Sequence, residues 1–420
     1  MKIALVNYRY FFSGGPERYM FNIKSILESN GHEVIPFSVK HNKNKFTEYE
    51  KYFLEPIGDG NEVYAGEYNS KSLKDSYKVL TRMLYSFEAK AKFKFFLEET
   101  KPDLIYILYF QNKISCSIID VAYSMKIPVV QRISDFSLIC PSGLFYRNDI
   151  NEVCELCLHG SKLNSVRYKC VYNSHAYSFL KALAIDIQHI VRIKDKINTF
   201  IFPSEFTLSK FIEAGFPENK LKFIPTLFNT DLIDTTLPIV YEKFALYVGR
   251  TDPDKGLMTL LDAFIDTEYS LKIIGFSNGD YHNRLIEYTK GKKHHIEFLG
   301  RLEFSEIQVQ LSKCLFTIIP SEWYDNLPNT LLESYALKKC VIATNIGSLK
   351  ENIIDNETGL LFDYKNSKSL KEKVEILFNN PYKAQEMGEK ANLSILSRFS
   401  IENHYHNLMS IFKESINGKK

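Results

Sequence analysis

The chain has 420 residues, 45% of them hydrophobic and 25% charged, with a formal net charge of +3. That composition is expected of an ordinary soluble protein with two domains of roughly 200 residues, not of a nucleic-acid binder. No apolar run approaches the roughly 18 residues of a membrane span, and residues 1–12 break too early for a signal peptide, so the expectation is a cytoplasmic protein.

Residues 3–7 predict a buried strand, followed by the turn Ser13-Gly14-Gly15-Pro16-Glu17 and a helix in which Tyr19, Met20, Ile23, Ile26 and Leu27 recur at helical spacing. The second strand, residues 34–39, ends without the acid that a dinucleotide site needs, and the turn lacks G-x-G-x-x-G. Judged alone, Gly14 and Gly15 read as a turn needing positive φ. Residues 71–96 interleave lysines with Tyr77, Leu80, Met83, Leu84, Phe87, Phe93 and Phe96. Strands resume at 104–110 and 128–133. A long helical stretch at 178–198 precedes short strands at 199–202 and 222–224, and this alternation predicts a doubly wound parallel sheet. Residues 226–242 have no period and read as a linker.

A second βα series opens with a strand at 244–248, Gly249-Arg250 at its carboxyl end and Lys255-Gly256 at a helix start. Strands at 271–274, 296–299 and 315–319 continue it. Pro320 and the acidic turn 322–326 then lead to Pro328, a helix packing Leu331, Leu332, Tyr335 and Ala336 inward, and a strand at 341–343. In open α/β sheets ligands bind beyond the carboxyl ends of the strands, where Arg250, Lys255, Asp325 and the NH groups of Asn329 and Thr330 all fall, and that convergence points to one anionic ligand.

Asp325 and Glu333 lie eight positions apart, within Asp325-Asn326-Leu327-Pro328-Asn329-Thr330-Leu331-Leu332-Glu333. The stretch resembles the E-x7-E region of family 4 retaining glycosyltransferases, with the first acid shortened from Glu to Asp. Gly249-Arg250 with Lys255-Gly256, the glycine turn, Gly31-His32-Glu33-Val34, Pro203-Ser204-Glu205-Phe206, Asn345-Ile346-Gly347 with Glu351, and Asn356-Glu357-Thr358-Gly359-Leu360 match that family in order along the chain. The resemblance implies a GT-B architecture, two facing Rossmann-like doubly wound parallel-sheet domains with a central cleft. Residues 1–226 would be the acceptor-binding domain, residues 243–399 the nucleotide-sugar-binding domain, and residues 400–420 a helix crossing back to the first.

It further implies a metal-independent hexosyltransferase that moves a sugar, with retention, from a UDP- or GDP-sugar to a saccharide or lipid-linked acceptor in surface polysaccharide or glycoconjugate synthesis. No cofactor would be required for the chemistry. Arg250 and Lys255 would grip the diphosphate, Glu333 the ribose and Asp325 the sugar, with Gly14, Gly15, Gly249, Asn326, Asn329 and Thr330 around the donor. At the end of a central strand, where many members carry His-Asp, this chain has Ser134-Asp135, on the acceptor or sugar side. A nucleotide-sugar 2-epimerase of the same fold, and a catalytically degenerate nucleotide-binding subunit, are the alternatives.

Cys140, Cys154, Cys157 and Cys170 bracket a polar insertion, residues 137–172, that contains one C-x-x-C pair. Two readings stand, a structural zinc site and ordinary reduced thiols. Cys116, Cys314 and Cys340 read as core positions, and the histidines as surface residues. Residues 1–226 carry a net positive charge and residues 227–420 a net negative one. Peripheral contact of the 71–96 segment with the inner face of a membrane is the corresponding expectation, against a solvated helical face.

Overall fold

A computed structural model describes residues 1–59, 61, 73–277 and 280–418, the side chain of Leu396 excepted. Lys71, at the start of the basic aromatic segment, lies outside the described residues. The chain divides into two compact units, one of residues 1–145, 155–226 and 401–420, the other of residues 146–154 and 227–400.

The strands in chain order are β1 (Lys2–Val6), β2 (Glu33–Phe37), β3 (Leu104–Ile107), β4 (Val129–Arg132), β5 (Tyr146–Arg147), β6 (Glu152–Val153), β7 (Thr199–Phe202), β8 (Leu221–Phe223), β9 (Phe244–Val248), β10 (Ser270–Ile274), β11 (His295–Gly300), β12 (Phe316–Ile319), β13 (Val341–Thr344) and β14 (Gly359–Phe362). The first unit holds a six-stranded sheet ordered β2-β1-β3-β4-β7-β8, and the second a six-stranded sheet ordered β11-β10-β9-β12-β13-β14. Every pairing in both sheets is parallel. The two doubly wound sheets expected from the alternation of apolar runs are therefore present.

The strands form because runs such as Ile3–Val6 and Phe316–Ile319 are apolar throughout, as a parallel strand covered on both faces requires. Both runs are buried along their length. In the second sheet β9 lies between β10 and β12, so the chain reverses its direction of winding between β9 and β12. That switch point leaves a crevice at the strands' carboxyl ends. In the first sheet the reversal lies between β1 and β3.

Six helices matter below: α1 (Gly15–Ser29), α2 (Leu73–Met83), α3 (His175–Ile190), α4 (Leu257–Phe264), α5 (Asn329–Ala336) and α6 (Ile401–Asn417). The expected helix over 178–198 is shorter, because Arg192 adopts φ 57° and interrupts it before a turn at Ile193–Lys196. The insertion also departs from expectation. Its antiparallel β5–β6 hairpin groups with the second unit, where the Val153 NH donates to Tyr364 Oη at 3.3 Å and Lys365 lies 3.7 Å from Glu152.

Helix α6 closes the first unit. Tyr405 bonds His32 at 3.0 Å, Phe412 packs its ring against Tyr106, and Ser415 lies 3.3 Å from Thr199 Oγ1. The surface reading of the histidines is corrected here, since His404 and His282 are buried. A helical period places His404 on the inner face of α6 and His406 on the outer, and one buried imidazole at such a position is satisfied by core partners.

His404 Nδ1 lies 2.7 Å from the Pro225 carbonyl and Nε2 lies 2.9 Å from Tyr19 Oη, which is 2.8 Å from Tyr106 Oη. The neutral ring satisfies this chain by donating from Nδ1 and accepting at Nε2, and protonation of Nε2 would break it. Burial, with the Arg132 charge adding to it, lowers the His404 pKa from 6.5 to about 4. A base whose folded pKa is depressed contributes stability that is complete above about pH 6.5 and is lost as pH falls toward 4. The expected contribution is about 3 kcal/mol. Urea unfolding between pH 7 and 4 should show this slope in the wild type and a flatter one in His404→Gln.

Candidate active site

The site residues of the second unit are assembled by two loops at the β9/β12 switch point. Gly256 makes their approach possible. It adopts φ 69°, and a Cβ there would sit 1.8 Å from the Pro320 carbonyl oxygen, so only glycine lets the loop after β9 pass against the end of β12. The Glu322 NH donates to the Asp254 carbonyl at 2.8 Å, closing the two loops together.

This places Lys255 beside the acidic turn. Lys255 Nζ donates to Asp325 Oδ2 at 2.6 Å and stands 4.8 Å from the centre of the Trp323 ring. Ser321 Oγ donates to the same Asp325 oxygen at 3.1 Å, and Ser348 Oγ donates to the Asp325 carbonyl at 2.6 Å. The residue is thus held from three sides, with the side-chain bonds on Oδ2.

Arg250 follows β9 and is more open. Its guanidinium, 59% exposed, pairs with Asp252 and, at 3.4 Å, with Asp254. Tyr247 Oη donates to the Arg250 carbonyl at 2.5 Å, and the Gly249 NH donates to the Ile274 carbonyl. A Cβ on Gly275, at φ 134°, would meet the Gly249 carbonyl oxygen at 1.8 Å, so the β9 and β10 ends also touch backbone to backbone.

Helix α5 starts beyond Pro328, which serves as its N-cap residue, with Asn329 and Thr330 as the first helical residues. Thr330 Oγ1 donates to the Val248 carbonyl at 3.1 Å, tying the helix start to β9. Glu333, one turn further, is only 6% exposed. Arg250, Lys255, Asp325, Asn326 and Glu333 therefore stand on the loops and the helix that follow β9 and β12, Lys255 and Asp325 in contact, with NH groups of a helix start on the same segment. Such an arrangement can hold an anion between two cations and the positive end of a helix dipole.

Glu322 was not singled out by spacing. It is 7% exposed, accepts from Thr259 Oγ1 at 2.6 Å and has its pKa raised by burial. Its place between Pro320 and Trp323 gave no sign of burial, because its partner lies on α4.

In the first unit Gly15 opens α1, and Gly14 is extended at φ 179°, so neither glycine occupies the positive-φ region that a turn reading required. Behind them Arg9 Nη1 donates to Ser13 Oγ at 2.8 Å, and Ser13 Oγ donates to Glu17 at 2.9 Å. Glu17 is 1% exposed. That buried acid in the first turn of α1 was not marked by the motif. Arg132 donates to Ser134 Oγ at 3.3 Å, and Asp135 Oδ1 accepts from the Ser137 NH at 2.8 Å. Burial raises the Asp135 pKa and lowers that of Lys181 to about 8, the two opposite charges each moderating the other.

The cysteine insertion does not form a closed metal site as placed. Cys154 falls in the second unit while Cys140, Cys157 and Cys170 fall in the first. Among the described residues the one group of three whose ligand atoms lie within 4.8 Å of one another is Glu155, His159 and Glu213, an open cluster that Lys210 already bridges. Burial and the neighbouring Cys140 and Cys170 push the Cys157 thiol up to about 12. Among the described residues the four cysteines are not among the groups gathered as ligands, and no role is derived through zinc. Cys116, Cys314 and Cys340 are buried in the cores.

Residues 231–393 match the family model described as glycosyl transferases group 1. This stretch is a group 1 glycosyltransferase domain. The group 1 domain spans Arg250, Lys255, Asp325 and Glu333 together. An uncharacterized glycosyltransferase of Methanocaldococcus jannaschii is 31% identical over 212 residues, 49% of this chain and 58% of that protein, so the chain spans less than two thirds of that relative. An uncharacterized 42.6 kDa protein in the cps region of Klebsiella pneumoniae is 23% identical over 364 residues, 84% of this chain and 87% of that one. Among solved structures, the sucrose-phosphate synthase of Thermosynechococcus elongatus superposes with a TM-score of 0.71 at 17% identity, over 99% of each chain. Anabaena HepE in complex with UDP-glucose superposes at 0.63 and 16% identity, over 99% of this chain and 100% of that one. These likenesses show the fold, GT-B.

Proposed function

We propose that the chain is a family 4 retaining glycosyltransferase that transfers a sugar from a nucleoside diphosphate sugar to an acceptor hydroxyl. The observation that carries this reading is the Lys255–Asp325 pair, at 2.6 Å, beside the start of α5 and the Arg250 loop. A diphosphate set between Lys255, Arg250 and the NH groups of Asn329 and Thr330 would have its developing negative charge met by donors already in place. Lys255 and Arg250 would supply the charge that a metal ion supplies elsewhere, so the reaction is proposed as metal-independent. Glu333 would bind the ribose hydroxyls and Asp325, with Asn326, the transferred sugar. Retention follows from attack on the face the diphosphate leaves, without a protein nucleophile.

A UDP-sugar is the favoured donor over a GDP-sugar, supported by the UDP-glucose complex of the Anabaena protein. The group 1 match and the Klebsiella relative in a cps region support a saccharide or lipid-linked acceptor in surface polysaccharide synthesis. Among the described residues no helix is long and apolar enough to cross a membrane. A cytoplasmic protein touching the inner face of the membrane is the proposed location.

Thermal denaturation with UDP and GDP, followed by analysis of sugar products from the stabilising donor, tests the reading. A rise in melting temperature with one nucleoside diphosphate and an acceptor-dependent product with retained configuration are expected. No stabilisation by either nucleotide would overturn it, and turnover of a UDP-sugar without acceptor would replace it with a 2-epimerase.

A further inference from the structure

The buried Glu322 has no part in the proposed chemistry, yet its contacts bracket a residue that does. It follows β12 on the turn that carries Asp325, and it binds the neighbouring loop on either side of Lys255. Its NH donates to the Asp254 carbonyl at 2.8 Å, and its carboxyl accepts from Thr259 Oγ1, in the first turn of α4, at 2.6 Å. Gly256 lies against the same side chain, where a Cβ would come within 3.2 Å of Glu322 Cγ. Helix α4 starts without a side-chain cap, and an acid beside its first turn is favoured by the helix dipole. The β5–β6 hairpin reaches Glu322 through Tyr364 and Lys365. Tyr364 Oη donates to the Glu322 carbonyl at 3.4 Å while accepting from the Val153 NH, and Lys365 Nζ lies 4.0 Å from Glu322 Oε2 and 3.7 Å from Glu152. Tyr146 of the same hairpin is 2% exposed and stands where the Glu322 and Asp254 charges add to the rise that burial gives its pKa.

We infer that Glu322 is a positioning residue for Lys255, fixing the loop before and after it so that the ammonium stands at Asp325 before a ligand arrives. The inference rests on the proposed glycosyltransferase reading, in which Lys255 meets the leaving diphosphate. A lysine side chain has several rotatable bonds, so its tip is placed only as well as its backbone. The backbone of Pro253–Lys255 is a single 3₁₀ turn, which supplies little rigidity of its own. Its anchors are the bond at the Asp254 carbonyl, the close approach at Gly256 and the Thr259 hydroxyl, and Glu322 takes part in all three. An apolar residue could fill the same space, but only a hydrogen-bond acceptor there can hold Thr259. A shift of about 1 Å in a group that meets developing charge can cost about 100-fold in rate.

Glu322→Ala is expected to lower kcat by about ten- to thirty-fold and to raise the UDP dissociation constant by about three-fold. Glu322→Gln keeps an acceptor for Thr259 and should recover both to within about two-fold of wild type. Thr259→Val removes the donor from the other side and should repeat the Ala result, with Thr259→Ser restoring it. This second pair carries the test if Glu322→Ala does not fold. The decisive measurement is the same change in a Lys255→Met background. No ammonium is left to place there, so Glu322→Ala and Thr259→Val should each change kcat and UDP affinity by less than about two-fold. An equal fall in both backgrounds overturns the inference and leaves Glu322 a part of general stability. A Gln variant as impaired as Ala also overturns it, because the charge of Glu322 would then act by itself. Full turnover in Glu322→Ala or Thr259→Val has the same consequence. UDP and GDP binding are measured on the same wild-type protein. Nucleotide binding together with any of these outcomes fails this inference alone, whereas a wild type that binds neither nucleotide fails the reading beneath it.

Discussion

Lys255→Met is expected to lower kcat by about 10²- to 10³-fold, the range for losing one preorganised donor to developing charge. The side chain is fixed before any ligand arrives. Gly256 brings its loop against Pro320, Asp325 takes its ammonium at 2.6 Å, and the Trp323 ring covers it. Little reorganisation is then needed when a diphosphate begins to leave. The free nucleotide already carries most of that charge, so its dissociation constant should rise as well, by about ten-fold. Arg250→Ala should cost less, because its guanidinium is 59% exposed and must leave Asp252 and Asp254 to reach a ligand. Met keeps the unbranched stem over Trp323 and removes the charge, which leaves Asp325 only Ser321 among its side-chain donors. A stability loss of about 1–3 kcal/mol should accompany the change and is read from urea unfolding. Steady-state kinetics and calorimetry with the nucleotide measure the rest. A variant that unfolds like the wild type and keeps its turnover would leave Lys255 no part in the chemistry.

The strands and the crevice were legible because they depend on local pattern. Apolar runs such as 316–319 and the Pro328 helix start need no tertiary information to be read, and their order along the chain predicts parallel winding. The pairing of Lys255 with Asp325 was not legible, since it depends on β9 and β12 being neighbours and joins residues 70 positions apart. Sequence placed both groups at carboxyl ends and could not say that one neutralises the other. Long-range partners also explain the buried members that were missed. Glu322 is covered because Thr259 lies on α4, and His404 because Tyr19 and Pro225 surround it, whereas Glu17 is covered locally by Ser13 and Arg9. The cysteines show the converse limit. Spacing suggested a site, but among the described residues the cysteines are not among the groups gathered as ligands, and Cys154 follows a hairpin held by Tyr364 and Lys365.

Asp325→Ala and Glu333→Ala are expected to fail in different ways. Asp325 touches Lys255 and Ser321 through Oδ2, and both bonds pull the carboxylate to one side. Oδ1 is then the oxygen left for the sugar hydroxyl that the proposed reading gives Asp325. One methylene shorter than Glu, the side chain has roughly 1.5 Å less reach. The turn cannot readily move to close that gap, because Ser348 holds the Asp325 carbonyl at 2.6 Å and Gly256 pins the neighbouring loop. The contact is then through a bridging water or to a donor whose hydroxyl projects toward the turn. Removing the carboxylate has two opposed effects on nucleotide affinity. A negative charge near the diphosphate is lost, which favours binding, and Lys255 loses its anchor, which disfavours it. The dissociation constant should stay within about three-fold, while kcat falls by roughly 100-fold because the sugar contact strengthens as the bond breaks. Glu333 would differ, because the ribose contact proposed for it is the same in ground and transition state. Hydrogen bonds to a charged group are worth about 1.5–3 kcal/mol, so Glu333→Ala should raise the nucleotide dissociation constant by about ten- to a hundred-fold with kcat nearly unchanged. Glu333 is buried, so the comparison needs equal melting temperatures, and Glu333→Gln keeps the volume as a control. Calorimetry with UDP and steady-state kinetics on the three variants separate the roles. Full turnover in Asp325→Ala would reduce Asp325 to an anchor for Lys255, and unaltered UDP affinity in Glu333→Ala would remove Glu333 from the nucleotide.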